Sequence, residues 1–191
     1  LNAHYKRIGW NARAQEGAVD GWYQTKFTLK EEPLVSILIP NKDHTDDLDV
    51  CLNSFFERAD YQNYEFIIIE NNSVLPETFA YYEKIEKEHD NVKVVYWEAG
   101  FNYSAINNFG FKFAKGDYIM LLNNDVELIT PDIFQSMLGF CMRPEVGIVG
   151  AKLLYNDHTV QHAGVLVGAG GLADHVFKGI HEDDPGYMGR A

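Results

Sequence analysis

From residue 33 onward the chain alternates between two apolar patterns: short continuous runs, and stretches whose apolar positions recur every three to four residues. LVSILI at 34–39, EFIIIE at 65–70, VKVVYW at 92–97 and DYIMLL at 117–122 are runs of the first kind, rich in branched residues. Such runs predict strands buried on both faces. Pro40 lacks an N–H and is placed to close the first of them. Between the runs lie helical stripes: Leu48, Leu52, Phe55 and Phe56 behind an acidic start; Phe79, Tyr82 and Ile85 within 78–88; Ala105, Ile106, Phe109 and Phe113 within 104–114, closed by Gly116. Thr130 and Pro131 predict the N-cap and first position of a further helix, which Arg143 and Pro144 end.

Strand and helix in alternation predict an α/β fold with a central, mostly parallel sheet flanked by helices. After residue 145 the pattern changes. VGIVGAKLLY and TVQHAGVLVG predict the two strands of a C-terminal hairpin, with Asn156 and Asp157 supplying the turn. A glycine-rich stretch follows at Gly168 to Gly171, and the tail beyond it, to Arg190, predicts a mobile loop. Residues 1–32 show no period and predict an irregular N-terminal extension, whose Trp10, Trp22, Tyr23 and Phe27 are available to pack on a neighbour.

Composition narrows the class. The 191 residues are 46% hydrophobic and 14% aromatic, which fits a globular domain with a sizeable core. Lys and Arg total 16 against 28 acidic residues, for a formal charge of -12. That balance argues against a nucleic-acid binder that neutralises phosphates with a basic face. Cys51 and Cys141, far apart in apolar settings, read as buried free thiols of a reducing compartment. No run has the length to cross a bilayer, and no signal peptide is visible. The chain starts at Leu1 and reads as an excised piece of a longer protein.

In a parallel sheet ligands sit outside the C-terminal ends of the strands. Three loops fall there. The first, after Pro40, has no G-x-G-x-x-G and no G-x-x-x-x-G-K-[ST]; it offers Asn41, Lys42 and Asp43. The second is Glu70-Asn71-Asn72-Ser73, a carboxylate and amides that equally describe a turn with a helix cap. The third is Asn123-Asn124-Asp125, again either a turn or a site. One carboxylate at a strand tip among amides suits Mg2+ or Mn2+, which completes its shell with phosphate oxygens and water. Asp125 is the candidate ligand, with Glu127 nearby if the chain stays extended. Three consecutive strand ends, all bearing amide and acid, are poorly explained as three independent turns.

The segments VSILIPNKD at 35–43, IIIENNS at 67–73, NNFGFKFAKGDYIMLLNND at 107–125 and VGIVGAKLLYNDHTVQHAGV at 146–165 resemble the family 2 glycosyltransferases of GT-A fold, and within them the bacterial rhamnosyltransferase-like branch. The likeness covers about 33–188 and rests on the order and spacing of these segments. It implies a GT-A nucleotide-diphospho-sugar transferase domain over 33–191, cut before its acceptor-binding part. It implies a nucleotide-sugar donor held by Pro40, Asn41, Asp43, Glu70, Asn72, Asn108, Asn123 and Asn124. Asp43 and Glu70 would lie near the base, with Asn108 and Gly110 forming an Asn-x-Gly element beside the nucleotide. Asn123-Asn124-Asp125 stands where the family has Asp-x-Asp: Asn123 would face the ribose, and Asp125 would bind Mn2+ or Mg2+. Here Asn replaces the first acid of that motif.

The resemblance further implies an inverting transfer to a glycan or lipid-linked acceptor, in a cytoplasmic protein at the inner face of the membrane. His162 would contact sugar or acceptor, and His175 or His181 could add a metal ligand. The family's catalytic base lies in a later acidic motif; Asp174, Asp183 and Asp184 do not match it, so no base is assigned. Two other functions compete. A nucleotidyltransferase would need a Gly-rich, basic first loop, which PNKDHTDD is not. A non-catalytic nucleotide- or glycan-binding module would bind without transfer.

Overall fold

The computed structural model describes residues 1–17 and 20–187. They form two compact units, one of residues 30–134 and one of residues 1–29 with 135–191. In chain order the elements are α1 (Asn2–Arg7), β1 (Ala12–Glu16), β2 (Tyr23–Phe27), β3 (Val35–Asn41), α2 (Thr45–Arg58), β4 (Tyr64–Glu70), α3 (Pro76–Glu88), β5 (Val92–Tyr96), α4 (Tyr103–Phe111), β6 (Tyr118–Leu121), α5 (Ile133–Cys141), β7 (Leu153–Leu154), β8 (Val160–His162), β9 (Val165–Val167) and β10 (Ala173–His175).

The 30–134 unit is built on a four-stranded sheet in the order β5-β4-β3-β6, parallel throughout. Each of the four apolar runs became a strand. Ile37, Ile39, Phe66, Ile67, Ile68 and Ile69 are fully buried, as strands covered on both faces must be. Alternation divides them between the two faces. Leu38, Ile67, Ile69 and Val95 cluster with Ile106 of α4, and Phe109 and Phe113 pack against that cluster. On the other face Phe55 and Phe56 of α2 each set an edge against the Phe66 ring at 5.6 Å.

Two glycines mark close approaches. A Cβ on Gly110 would stand 2.3 Å from Ile69 Cδ1, so glycine is what lets α4 lie on β4. A Cβ on Gly116 would stand 2.5 Å from the Leu34 carbonyl oxygen and 2.7 Å from the Ser36 nitrogen. Gly116 lets the chain descend from α4 into β6 directly against β3. Ser36, buried inside β3, serves that junction: its hydroxyl donates to Glu65 Oε1 (2.7 Å) and accepts from the Gly116 N–H (2.8 Å).

The strand order reverses at β3. Successive strands run outward through β4 to β5, and β6 then returns to the opposite side of β3. That reversal opens a crevice outside the C-terminal ends of β3 and β6, where α/β sheets bind ligands. Pro40 helps to open it. β3 continues one residue beyond the expected end, because Asn41 still pairs with β4, its carbonyl accepting from the Asn71 N–H at 2.9 Å. Toward β6 the last ladder bond runs from the Leu122 N–H to the Leu38 carbonyl (3.0 Å). Alternation turns Pro40 to that side, where it has no N–H to prolong pairing, and the chain of β6 departs.

The other unit departs from expectation at both ends. The N-terminal segment, expected to be irregular, holds α1 and an antiparallel two-stranded ribbon of β1 and β2. Tyr5 stacks on Trp10 at 5.6 Å, Phe27 meets Phe140 edge-on at 4.7 Å, and the Arg143 guanidinium lies over Trp10. Trp10 and Phe27 thus pack as expected, whereas Trp22 and Tyr23 are exposed. The ribbon was missed because the alternation in its strands, ARAQE and YQTKF, is carried by Ala and Thr as much as by aromatics and buries no residue fully.

The C-terminal hairpin exists, with shorter strands than expected: β7 and β8 pair antiparallel. Asp157 Oδ1 accepts from the N–H and hydroxyl of Thr159 in its turn. Gly168 to Gly171 turn β9 into antiparallel β10, with Gly168, Gly170 and Gly171 all at positive φ, so the start of the tail expected to be a mobile loop is a strand. Residues 188–190 of that expected loop lie outside the described residues. Cys51 is buried and Cys141 half-buried, both free thiols.

Candidate active site

The three strand-end loops of the 30–134 unit are tied into one network. Asn124 Nδ2 donates to Asn41 Oδ1 (2.6 Å), and Asn41 Nδ2 donates to the Tyr82 hydroxyl (2.8 Å). Tyr82 donates in turn to Glu70 Oε2 (2.8 Å). From the opposite direction the Asp43 N–H donates to Ser73 Oγ (2.8 Å), and the Ser73 hydroxyl donates to Glu70 Oε2 (2.6 Å). The Ser73 N–H takes the other oxygen of that carboxylate. Every donor in the chain therefore runs toward Glu70, which is only 3% exposed. A buried carboxylate needs such partners. Glu70 is the anchor beneath the loops, with both oxygens engaged.

Asp43 sits above that anchor at φ 59°, and Asn72 at φ 58° crowns the neighbouring loop. Both occupy the left-handed region that Asp and Asn tolerate better than other side-chain residues. Asp43 Oδ1 accepts from the N–H groups of Leu75 and Val74 (3.0 Å each) and from the Thr78 hydroxyl (3.3 Å). These bonds, Leu75's foremost, hold the Asp43 carboxyl below its ordinary pKa, against a smaller opposing effect of burial. The Asn72 amide donates to the Ala99 carbonyl at 2.8 Å and Asn71 to the same oxygen at 3.1 Å. Asn108 is exposed on α4.

The third loop is held from below by one face of α2. The Cys51 thiol contacts the Asn123 carbonyl (3.8 Å), Ser54 Oγ accepts from the Leu128 N–H (2.9 Å), and Arg58 Nη1 donates to the Leu128 carbonyl (2.8 Å). Residues 51, 54 and 58 share a helix face by their spacing. Burial pushes the Cys51 thiol up to about 12, so it stays a neutral wedge. Glu127 turns to Arg58 in an ion pair at 2.7 Å. That pairing occupies Glu127 and leaves Asp125 as the exposed carboxylate of the loop, flanked by exposed Asn123 and half-buried Asn124.

Among the described residues no group of three or more His, Cys, Asp or Glu is arranged to hold a metal. The Asp125 loop fits a different kind of site. One open carboxylate beside amide oxygens suits a hard cation that draws most of its shell from phosphate and water. His162, the remaining candidate from the sequence, lies on β8, its Nδ1 at 2.8 Å from His175 Nδ1 of β10.

Sequence reasoning named the strand-end residues but not what supports them. Tyr82 was read as inward packing; it is buried, and its hydroxyl joins the Asn41 loop to the Glu70 anchor. Ser73 and Thr78 were not singled out at all. The available signal was polar residues at inward positions of a helical stripe, Cys51, Ser54 and Arg58 in α2 and Thr78 in α3.

Two outcomes test the network. Tyr82→Phe leaves Asn41 and Glu70 each short of a partner and is expected to cost about 1–3 kcal/mol of stability, read by urea denaturation. Asp43→Asn should lower stability near neutral pH. Because the folded carboxyl has a depressed pKa, its contribution is present above the unfolded value and is lost as pH falls through the folded one. The gap between wild type and variant should therefore close on acidification below about pH 4.

A parallel sheet whose order reverses beside amides and one open carboxylate is the frame of a ligand-binding α/β domain, and comparison with solved structures shows it to be similar to the GT-A glycosyltransferases. A mannosyltransferase from Pyrobaculum calidifontis, solved in complex with GDP-Man and Mn2+, shares the fold at a TM-score of 0.56 and 14% identity, over 76% of this chain and 41% of that one. Residues 36–166 match the model for Glycosyl transferase family 2, and the chain belongs to that family. It is 40% identical over 168 residues to the uncharacterized protein y4gI of Sinorhizobium fredii, and 39% identical over 182 residues to the O-antigen biosynthesis protein RfbC of Myxococcus xanthus. These matches cover 86% and 95% of this chain but only 18% and 14% of the relatives. The chain spans less than a fifth of the length of either. Among the described residues no helix is long and apolar enough to cross a membrane.

Proposed function

We propose that this domain binds a nucleotide-diphosphate sugar across the β3–β6 crevice and serves an inverting, metal-assisted transfer of the sugar to a glycan or lipid-linked acceptor. The observation that carries the reading is the open Asp125 carboxylate in the loop after β6, the strand that returns beside β3 where the order reverses, with Glu127 withdrawn to Arg58. Asp125 would hold Mn2+ or Mg2+; so placed, the cation would neutralise charge building on the leaving diphosphate. The mannosyltransferase of like fold was solved with a nucleotide sugar and Mn2+, which is ligand chemistry of the same class.

The remaining roles are assigned on the same reading. Pro40 and Asn41 would line the crevice, and Asn124, whose amide donates to Asn41, would set the loop that presents Asp125. Asn123 faces outward as a neutral partner for the ribose. Asp43, Asn72 and Asn108 lie on the base side, and Glu70 acts on that side by holding Ser73 and Tyr82 rather than by touching the nucleotide. Attack by an acceptor hydroxyl needs a general base, and none is assigned to this chain. The relationship to an O-antigen biosynthesis protein supports a cell-surface polysaccharide as product. It leaves the sugar open, rhamnose included.

Calorimetric titration with UDP, GDP and dTDP, each with and without Mn2+, tests the reading. At least one nucleotide should bind with a clear gain from Mn2+, and that gain should vanish in Asp125→Ala. Metal-independent binding of equal strength in both proteins would overturn the assignment.

A further inference from the structure

A polar concavity lies in the C-terminal part of the chain, lined by none of the strand-end residues of the 30–134 unit. It has a volume of about 310 Å3 and is lined by Leu153, Tyr155, Gln161, His162, His175 and Lys178. We propose that this pocket binds an oxyanion, the phosphate or carboxylate group of a ligand, between Lys178 and the His162–His175 pair.

Its chemistry is one-sided. In a chain of net charge -12 the lining contains no carboxylate, yet it gathers an ammonium, two imidazoles, a primary amide and a phenol. The acidic residues close by in sequence are engaged elsewhere. Asp157 is taken by Thr159, Asp174 accepts from the His175 N–H at 2.7 Å, and Glu182 pairs with His158 at 2.8 Å. The side chains of Lys178, Gln161 and Tyr155 have no hydrogen-bond partner among the described residues. All three are exposed, so water meets their donors, and an anion in the pocket would replace that water with charge-assisted bonds.

The histidine pair is organised for the same purpose. The two Nδ1 atoms stand 2.8 Å apart with the rings crossed at 84°. One nitrogen must donate and the other accept, so a single proton lies between them and locks the rings together. The ring that accepts at Nδ1 must carry its own proton on Nε2, and that N–H is free to donate to a ligand. His162 ends β8 and His175 ends β10; β10 pairs with β9, placing His175 opposite Val165, three residues beyond His162, and the Val176 N–H donates to the Gly164 carbonyl (3.2 Å). The inference needs neither Asp125 nor a metal, and it stands or falls separately from the donor reading.

The test is a titration of the whole chain followed by its histidine imidazole NMR resonances, at fixed pH and ionic strength with chloride as the balancing anion. Inorganic phosphate and glucuronate are the two anionic probes, and glucose is the neutral one. Saturable shifts of the His162 and His175 signals with either anion are expected, weakened roughly tenfold in Lys178→Gln by loss of one charge-assisted bond. A response to phosphate alone marks a phosphorylated ligand, and to glucuronate alone a carboxylated sugar. Shifts equal to those with glucose, or no saturation, would overturn the proposal. So would loss of the response in Asp125→Asn, since the signal would then come from the donor site.

Discussion

Replacing Asp125 with Asn is expected, on the proposed function, to lower sugar transfer by roughly 10²–10³-fold, the scale of losing one preorganised stabiliser of transition-state charge. The amide is nearly isosteric, so the loop should keep its shape. Its supports lie elsewhere: Asn124 on Asn41, the Asn123 carbonyl on Cys51, Leu128 on Ser54 and Arg58. The melting temperature should therefore be almost unchanged while turnover falls, and raising Mn2+ should restore part of it. Glu127→Gln is the contrast. It releases Arg58 from an ion pair whose partners are both about half exposed, and such pairs are worth about 0–1 kcal/mol. Transfer by Glu127→Gln should stay within a fewfold of wild type. If both variants lost activity equally, Asp125 would have no special place in the loop.

The second large effect is on stability. Gly116→Val should destabilise the fold by about 3 kcal/mol, the upper end of overpacking costs. The obstacle is backbone: a Cβ would meet the Leu34 carbonyl oxygen at 2.5 Å and the Ser36 nitrogen at 2.7 Å, both within or just before β3. β3 is held on both sides by parallel pairing and cannot retreat. For a chain of this size each kcal/mol moves the melting temperature by about 2–4 °C, so a fall of roughly 6–12 °C is expected by circular dichroism. Gly100→Ala is the control, because a Cβ there meets nothing within 4 Å and it should melt like wild type.

These two sites were legible in the sequence to different depths. Asp125 stood out because an apolar run stopped at three polar residues and two neighbouring runs stopped in the same way. Gly116 was read as a helix terminator, but α4 ends at Phe111; what Gly116 does is admit β6 against β3, which depends on atoms some 80 positions earlier in the chain. Glu70 shows the same limit. In sequence it is one more acid at a strand end, equivalent to Asp43 and Asp125. In the fold it is 3% exposed and receives Tyr82 and Ser73, whereas Asp43 caps a loop and Asp125 faces outward. The N-terminal ribbon went unseen for a simpler reason: the alternating positions of its strands are small or polar (Ala12, Ala14, Thr25) as often as aromatic, and none is fully buried, so the period is weakly apolar.

The sequence by itself determined the strands and helices of the 33–134 region and the edge of the sheet that carries chemistry. Apolar period and turn residues are local properties, and the C-terminal ends of parallel strands follow from the alternation of elements. Only the tertiary structure decided the division of labour among the polar residues at that edge. Whether an acid anchors, caps or stays open depends on which donors from distant elements reach it, and those distances are set by packing. The same holds for His162 and His175: thirteen residues apart in the chain, they share a proton only because β9 and β10 fold back on one another.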